Sequence, residues 1–386
     1  MKNILFVDDE VNVLNGLRRM LRNRKTEWNM EFVDSGAKAL VLLEEKPFDV
    51  IVSDMRMPGM SGARLLTNIR GKYPGMTRIA LSGYSDTEMV LESIKATHLF
   101  IAKPADAKTL SSLIERSLSI QSIISNPQLC DFISGISSLP SVPAVYEKLV
   151  RILASKEASV DRVAELISTD IGMSVKLLQI VNSAYFGLAR EIVSPAEATA
   201  HLGLDVIKSL VLSIKIFEKF EEEIDARSLN DIWVRSQLVG NIAKKIARKE
   251  GFSQKEADQL LVAGMLQDLG ELVMLQYFPE GLGENVQWND INDGDALLLE
   301  RQAVGGSHDQ ISVYLLRLWG IPQTVVECVA YHHNSEHFTG YELTLPHILF
   351  CANVLAEDII NGTNLSEKLT EQGLVAEERL ASWLLL

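Results

Sequence analysis

The chain has 386 residues, with 37 Lys and Arg against 51 Asp and Glu, and a formal net charge of −14. That length exceeds one ordinary core and predicts two or three domains, while the acidity argues against broad binding to nucleic acid or anionic membranes. No stretch reaches the roughly 18 uninterrupted apolar residues of a membrane span; no signal-peptide pattern precedes the first strand, and Cys130, Cys328 and Cys351 are odd in number with no CxxC pair, so reduced thiols and a cytoplasmic location are expected.

The first part of the chain alternates short apolar runs with helical stretches. This predicts an α/β domain, a doubly wound parallel sheet with helices on both faces. Four runs end in side chains that carry chemistry. Asp8 and Asp9 follow residues 2–7, Asp54 follows 49–53, Ser82 follows 78–81 and Lys103 follows 98–102. Ligands bind at the carboxyl ends of the strands in such sheets. Three carboxylates, a hydroxyl and an ammonium therefore converge on one mouth. Clustered carboxylates attract a hard cation such as Mg²⁺, and an aspartate can be a nucleophile toward phosphorus. A lysine and a hydroxyl suit the charge and oxygens of a phosphoryl group. A lone strand-end Asp is usually ordinary surface polarity, but five such groups at the ends of four successive runs are not.

Residues 1–120 resemble a response-regulator receiver domain. The resemblance rests on Phe-Val-Asp-Asp-Glu at 6–10, the segment 53–62 (Ser-Asp-Met-Arg-Met-Pro-Gly-Met-Ser-Gly), Leu-Ser-Gly at 81–83 and Lys103-Pro104. It implies a flavodoxin-like sheet of five strands and phosphorylation of Asp54 by a sensor histidine kinase. Asp8, Asp9, Asp54 and the backbone carbonyl of Arg56 would hold Mg²⁺, and Lys103 would pair with the phosphate. Ser82 would swing toward it, followed by Phe100 as the aromatic switch. Pro104 would follow a cis peptide. Arg56 and Tyr84 would stand where phosphate lifetime is tuned.

Beyond Asp106, helical spacing predicts a helix over 107–125, within a connecting helix and linker spanning 107–134. Leu110, Leu113, Ser117, Ile120 and Ile124 recur at steps of three and four. That stripe is either packing against the sheet or the seam of a homodimer. Asn126-Pro127 ends the helix, and small residues break the chain again over 134–143.

Residues 135–358 read as one helix after another, an all-α domain. Ser159 is the expected N-cap of a helix over 160–167, without a capping box because Arg162 stands at its third position. Helical spacing continues over 173–181, 206–217, 234–247, 257–275, 311–318 and 325–330. The acidic run 218–225 reads as a solvated face. Residues 182–187 (Asn-Ser-Ala-Tyr-Phe-Gly) read as a helix end capped by Gly187, or as a docking patch presenting Tyr185 and Phe186.

Several stretches of this region resemble the HDOD family, the HD-related output domain. They are Ser-Leu-Pro-Ser-Val-Pro at 138–143, the segments 167–172 and 176–187, residues 194–203, Leu-Trp-Gly-Ile-Pro at 318–322 and Tyr-His-His at 331–333. The resemblance implies a signalling output without established catalysis. Related HD hydrolases hold metal with a His, a His-Asp pair and a later Asp. Here Arg235, Gln267 with Asp268, and Asn353 stand at those positions. Arg stays protonated and cannot ligate a cation. Asp268 remains, and His308, His332 and His333 are further candidate ligands. Gly340-Tyr341 follows His332 at the spacing of the HD-GYP cyclic-dinucleotide phosphodiesterases, but Asn334, His337 and Glu342 replace that motif's Glu, Asp and Pro. The site is therefore read as degenerate.

A turn at Asn361-Gly362 opens an amphipathic tail over 359–386, expected to dock on the helical domain or join a dimer. The whole reads as a two-component response regulator with a non-catalytic output acting on a downstream signalling protein. The alternative from another class is a phosphorylation-gated, metal-dependent HD-type phosphodiesterase.

Overall fold

A computed structural model describes residues 1–83, 93–120, 123–136, 139–141, 143–155, 158–182, 191–208, 210–211, 218–219, 226–278, 293–338 and 341–386. Tyr84, residues 183–187, the stretches 212–217 and 220–225, and Gly340 lie outside them. The expectations placed on those residues are therefore not addressed.

The N-terminal part is a parallel five-stranded sheet. Its strands are β1 (Lys2–Val7), β2 (Trp28–Val33), β3 (Val50–Asp54), β4 (Thr77–Ser82) and β5 (Leu99–Ala102), in the order β2-β1-β3-β4-β5. Every residue of β3 and β4 is buried. That burial fits the continuous apolar runs of strands covered on both faces. Helices α1 (Val11–Met20), α2 (Gly36–Glu45), α3 (Gly62–Lys72) and α4 (Ala107–Ile120) are described around it. Two begin at serine caps: Ser35 accepts from the Lys38 N–H and Ser61 from the Arg64 N–H. The strand order reverses direction between β1 and β3, and this switch point sets Asp8 and Asp9 beside Asp54.

Helix α4 ends at Ile120, short of the expected 125. Leu110, Ser117, Ile120 and Ile124 are buried within the chain, so the stripe packs on its own core. Asn126 both ends that segment and caps the next helix, α5 (Pro127–Gly135), accepting from two backbone N–H groups.

The rest is mainly helical: α6 (Pro143–Ala154), α7 (Val160–Ser168), α8 (Ile171–Val181), α9 (Pro195–Lys208), α10 (Ala226–Lys249), α11 (Gln254–Leu266), α12 (Leu269–Tyr277), α13 (Asp293–Val304), α14 (His308–Leu318), α15 (Gln323–Ala330) and α16 (Leu345–Asn361). Ser159 caps α7 through Arg162 N–H, as expected. Two expectations need correction. Residues 140–141 and 218–219 form a two-residue parallel pairing, β6 (Pro140–Ser141) with β7 (Glu218–Lys219), inside the region read as all helix. The helix expected over 206–217 is helical where it is described, at 206–208, after a break in α9 at Gly203 (φ 77°), and at 210–211. The helix expected over 257–275 is two, α11 and α12, separated at Gln267-Asp268. The apolar periodicity runs unbroken through that joint, so only tertiary packing reveals it.

Gly362 ends α16 in the left-handed region at φ 66°. The tail then folds as α17 (Ser366–Glu371) and α18 (Glu377–Trp383). It docks on α10: the buried Trp383 donates to Glu250 at 2.7 Å, and Lys249 donates to the Ser382 carbonyl at 2.6 Å. Among the described residues, no helix is long and apolar enough to cross a membrane.

Candidate functional sites

At the mouth of the sheet, Lys103 Nζ lies 2.5 Å from Asp54 Oδ1 and 2.8 Å from Asp8 Oδ2. Asp8, Asp9 and Asp54 each offer an oxygen within 4.8 Å of the others. Asp8 and Asp54 are buried, while Lys103 is 27% exposed and Asp9 half-buried, so the mouth opens to solvent. Burial pushes the Asp54 carboxyl above its ordinary range, and the Asp8 charge adds to this against the opposing pull of Lys103. Burial works against the Lys103 charge too, but Asp54 and Asp8 outweigh it and hold the ammonium above its usual value. Carboxylates crowded this way, outnumbering their ammonium, suit a hard dication.

The loop after β3 wraps Asp54 closely. The Arg56 N–H donates to Asp54 Oδ2 at 3.2 Å. Gly62 is required here: a Cβ on it would lie 2.0 Å from the Asp54 carbonyl oxygen. Ser82 is fully buried, and its hydroxyl donates to the Gly83 carbonyl at 3.2 Å. Phe100 is buried on β5. The Lys103-Pro104 bond is cis. Of the residues singled out in the sequence, the fold brings Asp8, Asp9, Asp54 and Lys103 within reach of one another.

The second cluster lies inside the helical domain. The joint between α11 and α12 turns Asp268 into the core, where Arg235 of α10 meets it with Nη2 2.9 Å from Oδ1 and Nε 3.1 Å from Oδ2. Arg235 also reaches Glu271 at 3.2 Å. Burial works against the Arg235 charge, but Asp268 and Glu271 outweigh it. Burial alone would raise the Asp268 carboxyl; Arg235, then His332 and His308, hold it well below the usual range. Gln267 donates to Asn353 Oδ1 at 2.8 Å, so two of the replaced positions bond each other. Gly270 lets α12 pass the start of α14, since a Cβ there would sit 2.1 Å from the His308 carbonyl oxygen.

His308, His332 and His333 gather on the other side of Asp268. His308 Nδ1 lies 2.8 Å from Glu300 Oε1 of α13, and Glu300 is 1% exposed. His332 Nδ1 lies 2.6 Å from the Val329 carbonyl. Neither Glu300 nor Glu271 was singled out in the sequence, because nothing in their local spacing distinguishes them from other helical glutamates.

A third feature escaped the sequence entirely. Arg78, at the start of β4, is 1% exposed and donates to the carbonyls of Ala96, Pro74, Met76 and Ser134, at 2.7 to 3.1 Å. Burial pulls its pKa down to about 9. His98 beside it accepts from the Arg78 N–H at 3.2 Å and lies 2.9 Å from the Ser134 carbonyl. The Ser134 hydroxyl meets Tyr314 of α14 at 2.7 Å. The sheet is thereby tied through α5 to the helix that begins at His308. Arg116 of α4 adds a bond to the Ile321 carbonyl at 2.5 Å, and Gln179 of α8 one to the His98 carbonyl at 3.4 Å.

Comparison with known proteins agrees with this two-part architecture. A family model described as the HDOD domain matches residues 139–335, about half of the chain, and one described as the response regulator receiver domain matches residues 4–115. An uncharacterised protein of Treponema pallidum (strain Nichols) is 25% identical over 202 residues, 52% of this chain and 39% of that protein. The transcriptional regulatory protein ZraR of Escherichia coli (strain K12) is 28% identical over 179 residues, 46% of this chain and 39% of that one. The chain thus spans well under half the length of these relatives. The MmoQ response regulator from Methylococcus capsulatus str. Bath shares the fold at TM-score 0.50 and 21% identity, over 64% of this chain and 98% of that one. The chain belongs to the HDOD domain family, and in the same polypeptide it carries a response regulator receiver domain ahead of that domain.

Proposed function

We propose that a sensor histidine kinase phosphorylates Asp54, and that the helical domain is a non-catalytic output that passes the signal on by protein contact. The observation that carries this reading is the Lys103 ammonium set between Asp54 and Asp8, at 2.5 and 2.8 Å, in a mouth open to solvent. Asp8, Asp9, Asp54 and the Arg56 carbonyl would hold Mg²⁺, which when bound supplies neutralising charge to phosphoryl oxygens. An Asp54 carboxylate oxygen forms the new O–P bond as the N–P bond to the kinase histidine breaks. Lys103 then exchanges its pairing with the carboxylate for one with the phosphoryl oxygens. Ser82 gives up its bond to the Gly83 carbonyl for a phosphoryl oxygen, and Phe100 repacks behind it.

The contacts of the receiver with the helical domain give that shift a route. Phosphorylation moves a population between states only where contacts differ between them. The bonds from Arg116 to Ile321 and from Gln179 to His98 are the contacts at stake. A non-catalytic output is supported by Arg235 at a ligand position and by the Gln267–Asn353 bond, which occupies two others. The downstream partner is a signalling protein, and the net charge of −14 speaks against DNA.

The test is the intact mass of the full chain after incubation with acetyl phosphate and Mg²⁺. Wild type is expected to gain one phosphoryl group, and Asp54→Ala none. The same gain in Asp54→Ala would overturn the assignment.

A further inference from the structure

The buried histidine cluster of the helical domain lacks the residues that would make it a hydrolase, yet it keeps a complete donor set for one metal ion. We propose that Asp268, His308, His332 and His333 bind a single transition-metal dication, of which Zn²⁺ is the best fit, in a closed structural site.

Geometry is the first argument. A tetrahedral zinc with ligands at about 2.0–2.1 Å separates its donor atoms by about 3.3 Å. His308 Nε2 is 3.0 Å from His333 Nε2, His332 Nε2 is 3.6 Å from Asp268 Oδ1, and His308 Nε2 is 4.0 Å from Asp268 Oδ1. These distances bracket that edge, and one ligand atom from each of the four residues lies within 4.8 Å of the others.

The groups behind the ligands form the second argument. A metal-bound imidazole normally donates its other N–H to a carboxylate or a backbone carbonyl, which fixes the ring and its tautomer. His308 faces Glu300 with Nδ1, and His332 faces the Val329 carbonyl with Nδ1. Each therefore turns Nε2 inward. His332 is fully buried, and its Nε2 has no hydrogen-bond partner. A buried lone pair aimed at a carboxylate is costly unless a cation lies between them.

Charge is the third. Asp268, Glu271, Glu300 and Asp309 bring four carboxylates to the cluster, and Arg235 brings one guanidinium. With neutral imidazoles, which metal ligands must be, the remainder is anionic and a dication offsets most of it. Arg235 meets both Asp268 oxygens, Oδ2 with Nε and Oδ1 with Nη2, and a carboxylate oxygen has a second lone pair, which at Oδ1 is left for the metal. Three imidazoles and one carboxylate suit zinc-class ions rather than Mg²⁺ or Ca²⁺, which prefer oxygen. All four positions are filled by protein, so no site remains for the water a hydrolase would activate.

The test uses the full chain without an affinity tag, from cells supplied with zinc. Elemental analysis should find about one zinc per chain in wild type and in His201→Ala, an exposed control, and about one-tenth of that in His332→Ala. Should His332→Ala fail to fold, a second measurement on wild type alone decides. Chelator-treated wild type titrated with Co²⁺ should develop the visible absorption of a tetrahedral site, saturating at about one equivalent and abolished by Zn²⁺. Wild type that carries under about one-tenth zinc and shows no saturable Co²⁺ band would overturn the proposal. So would equal zinc in wild type and a folded His332→Ala.

Discussion

The two polar centres of this molecule are built from the same parts and differ in access. In the receiver, Asp54 and Asp8 face Lys103 at a mouth where the ammonium is 27% exposed and Asp9 half-buried. In the helical domain, Asp268 faces Arg235 with its carboxylate wholly enclosed. An open mouth lets water, a cation and a phosphoryl donor exchange, and a lysine there can trade one anion for another. Arg235 is about as exposed as Lys103, at 26%, but its partner Asp268 is fully buried and Glu271 holds it as well, so the guanidinium has nothing to trade. Carboxylates beside a cation are therefore open to ligands through the half-buried Asp9 in one place and sealed at Asp268 in the other, and the burial of the carboxylates makes the difference.

The sharpest way to break the comparison is to remove each cation. Arg235→Met leaves Asp268 buried and unpaired, which costs about 3–5 kcal/mol. Lys103→Met leaves carboxylates that water or Mg²⁺ can reach, so its cost is about 1 kcal/mol. Urea unfolding of chelator-treated proteins at neutral pH measures both. Similar losses in the two variants would erase the distinction between an open and an enclosed centre.

A smaller effect tests the open mouth from its other side. Among the described residues no hydrogen bond or ion pair joins the Asp9 side chain to the rest of the fold, but it completes the carboxylate set that suits Mg²⁺. Asp9→Asn should leave the melting temperature without Mg²⁺ nearly unchanged. It should remove the rise that Mg²⁺ gives wild type and slow acetyl-phosphate labelling by about tenfold to a hundredfold, worth roughly 1.4–2.7 kcal/mol. Labelling at the wild-type rate with Mg²⁺ would take Asp9 out of the ion site.

The two centres were unequally legible in the sequence. The receiver mouth could be read because each of its groups terminates an apolar run, and parallel strands bring run ends together whatever the loops between them do. Asp8, Asp54, Ser82 and Lys103 needed only that rule. The helical cluster lies where helices cross, and crossings leave no period in the sequence. Asp268, His308, His332 and His333 stood out by residue type, but Glu300 and the Val329 carbonyl, which orient two of them, did not. The joint at Gln267-Asp268 was hidden by apolar residues on both sides of it. The stripe from Leu110 to Ile124 fitted both a seam and a core, and only burial decided between them. Arg78 at the head of a strand carried no signal of its own. Its charge is met there by carbonyls, a solution that spacing does not announce.

That carbonyl-capped Arg78 ties the sheet to α5, and its neighbour His98 supplies the most delicate test. His98 is 3% exposed, and burial, followed by the charge of Arg78, holds its imidazole well below the ordinary histidine range. The Arg78 backbone N–H donates to Nδ1, while Nε2 lies 2.5 Å from the Arg78 guanidinium and 2.9 Å from the Ser134 carbonyl, so an added ring proton would meet a cation already in place. A histidine with a depressed folded pKa takes up its proton more readily when unfolded. Its stabilising contribution is therefore complete above the unfolded value of about 6.5 and is lost as pH falls below it, at most about 1.4 kcal/mol per pH unit. His98→Gln keeps an acceptor and a donor but does not titrate. The stability gap between wild type and His98→Gln should therefore narrow steadily from about pH 7 to about pH 5. A constant gap over that range would mean that His98 takes up its proton as readily in the fold as in the unfolded chain, and a widening gap that it is charged in the fold; in either case the tie from sheet to α5 would rest on Arg78 alone.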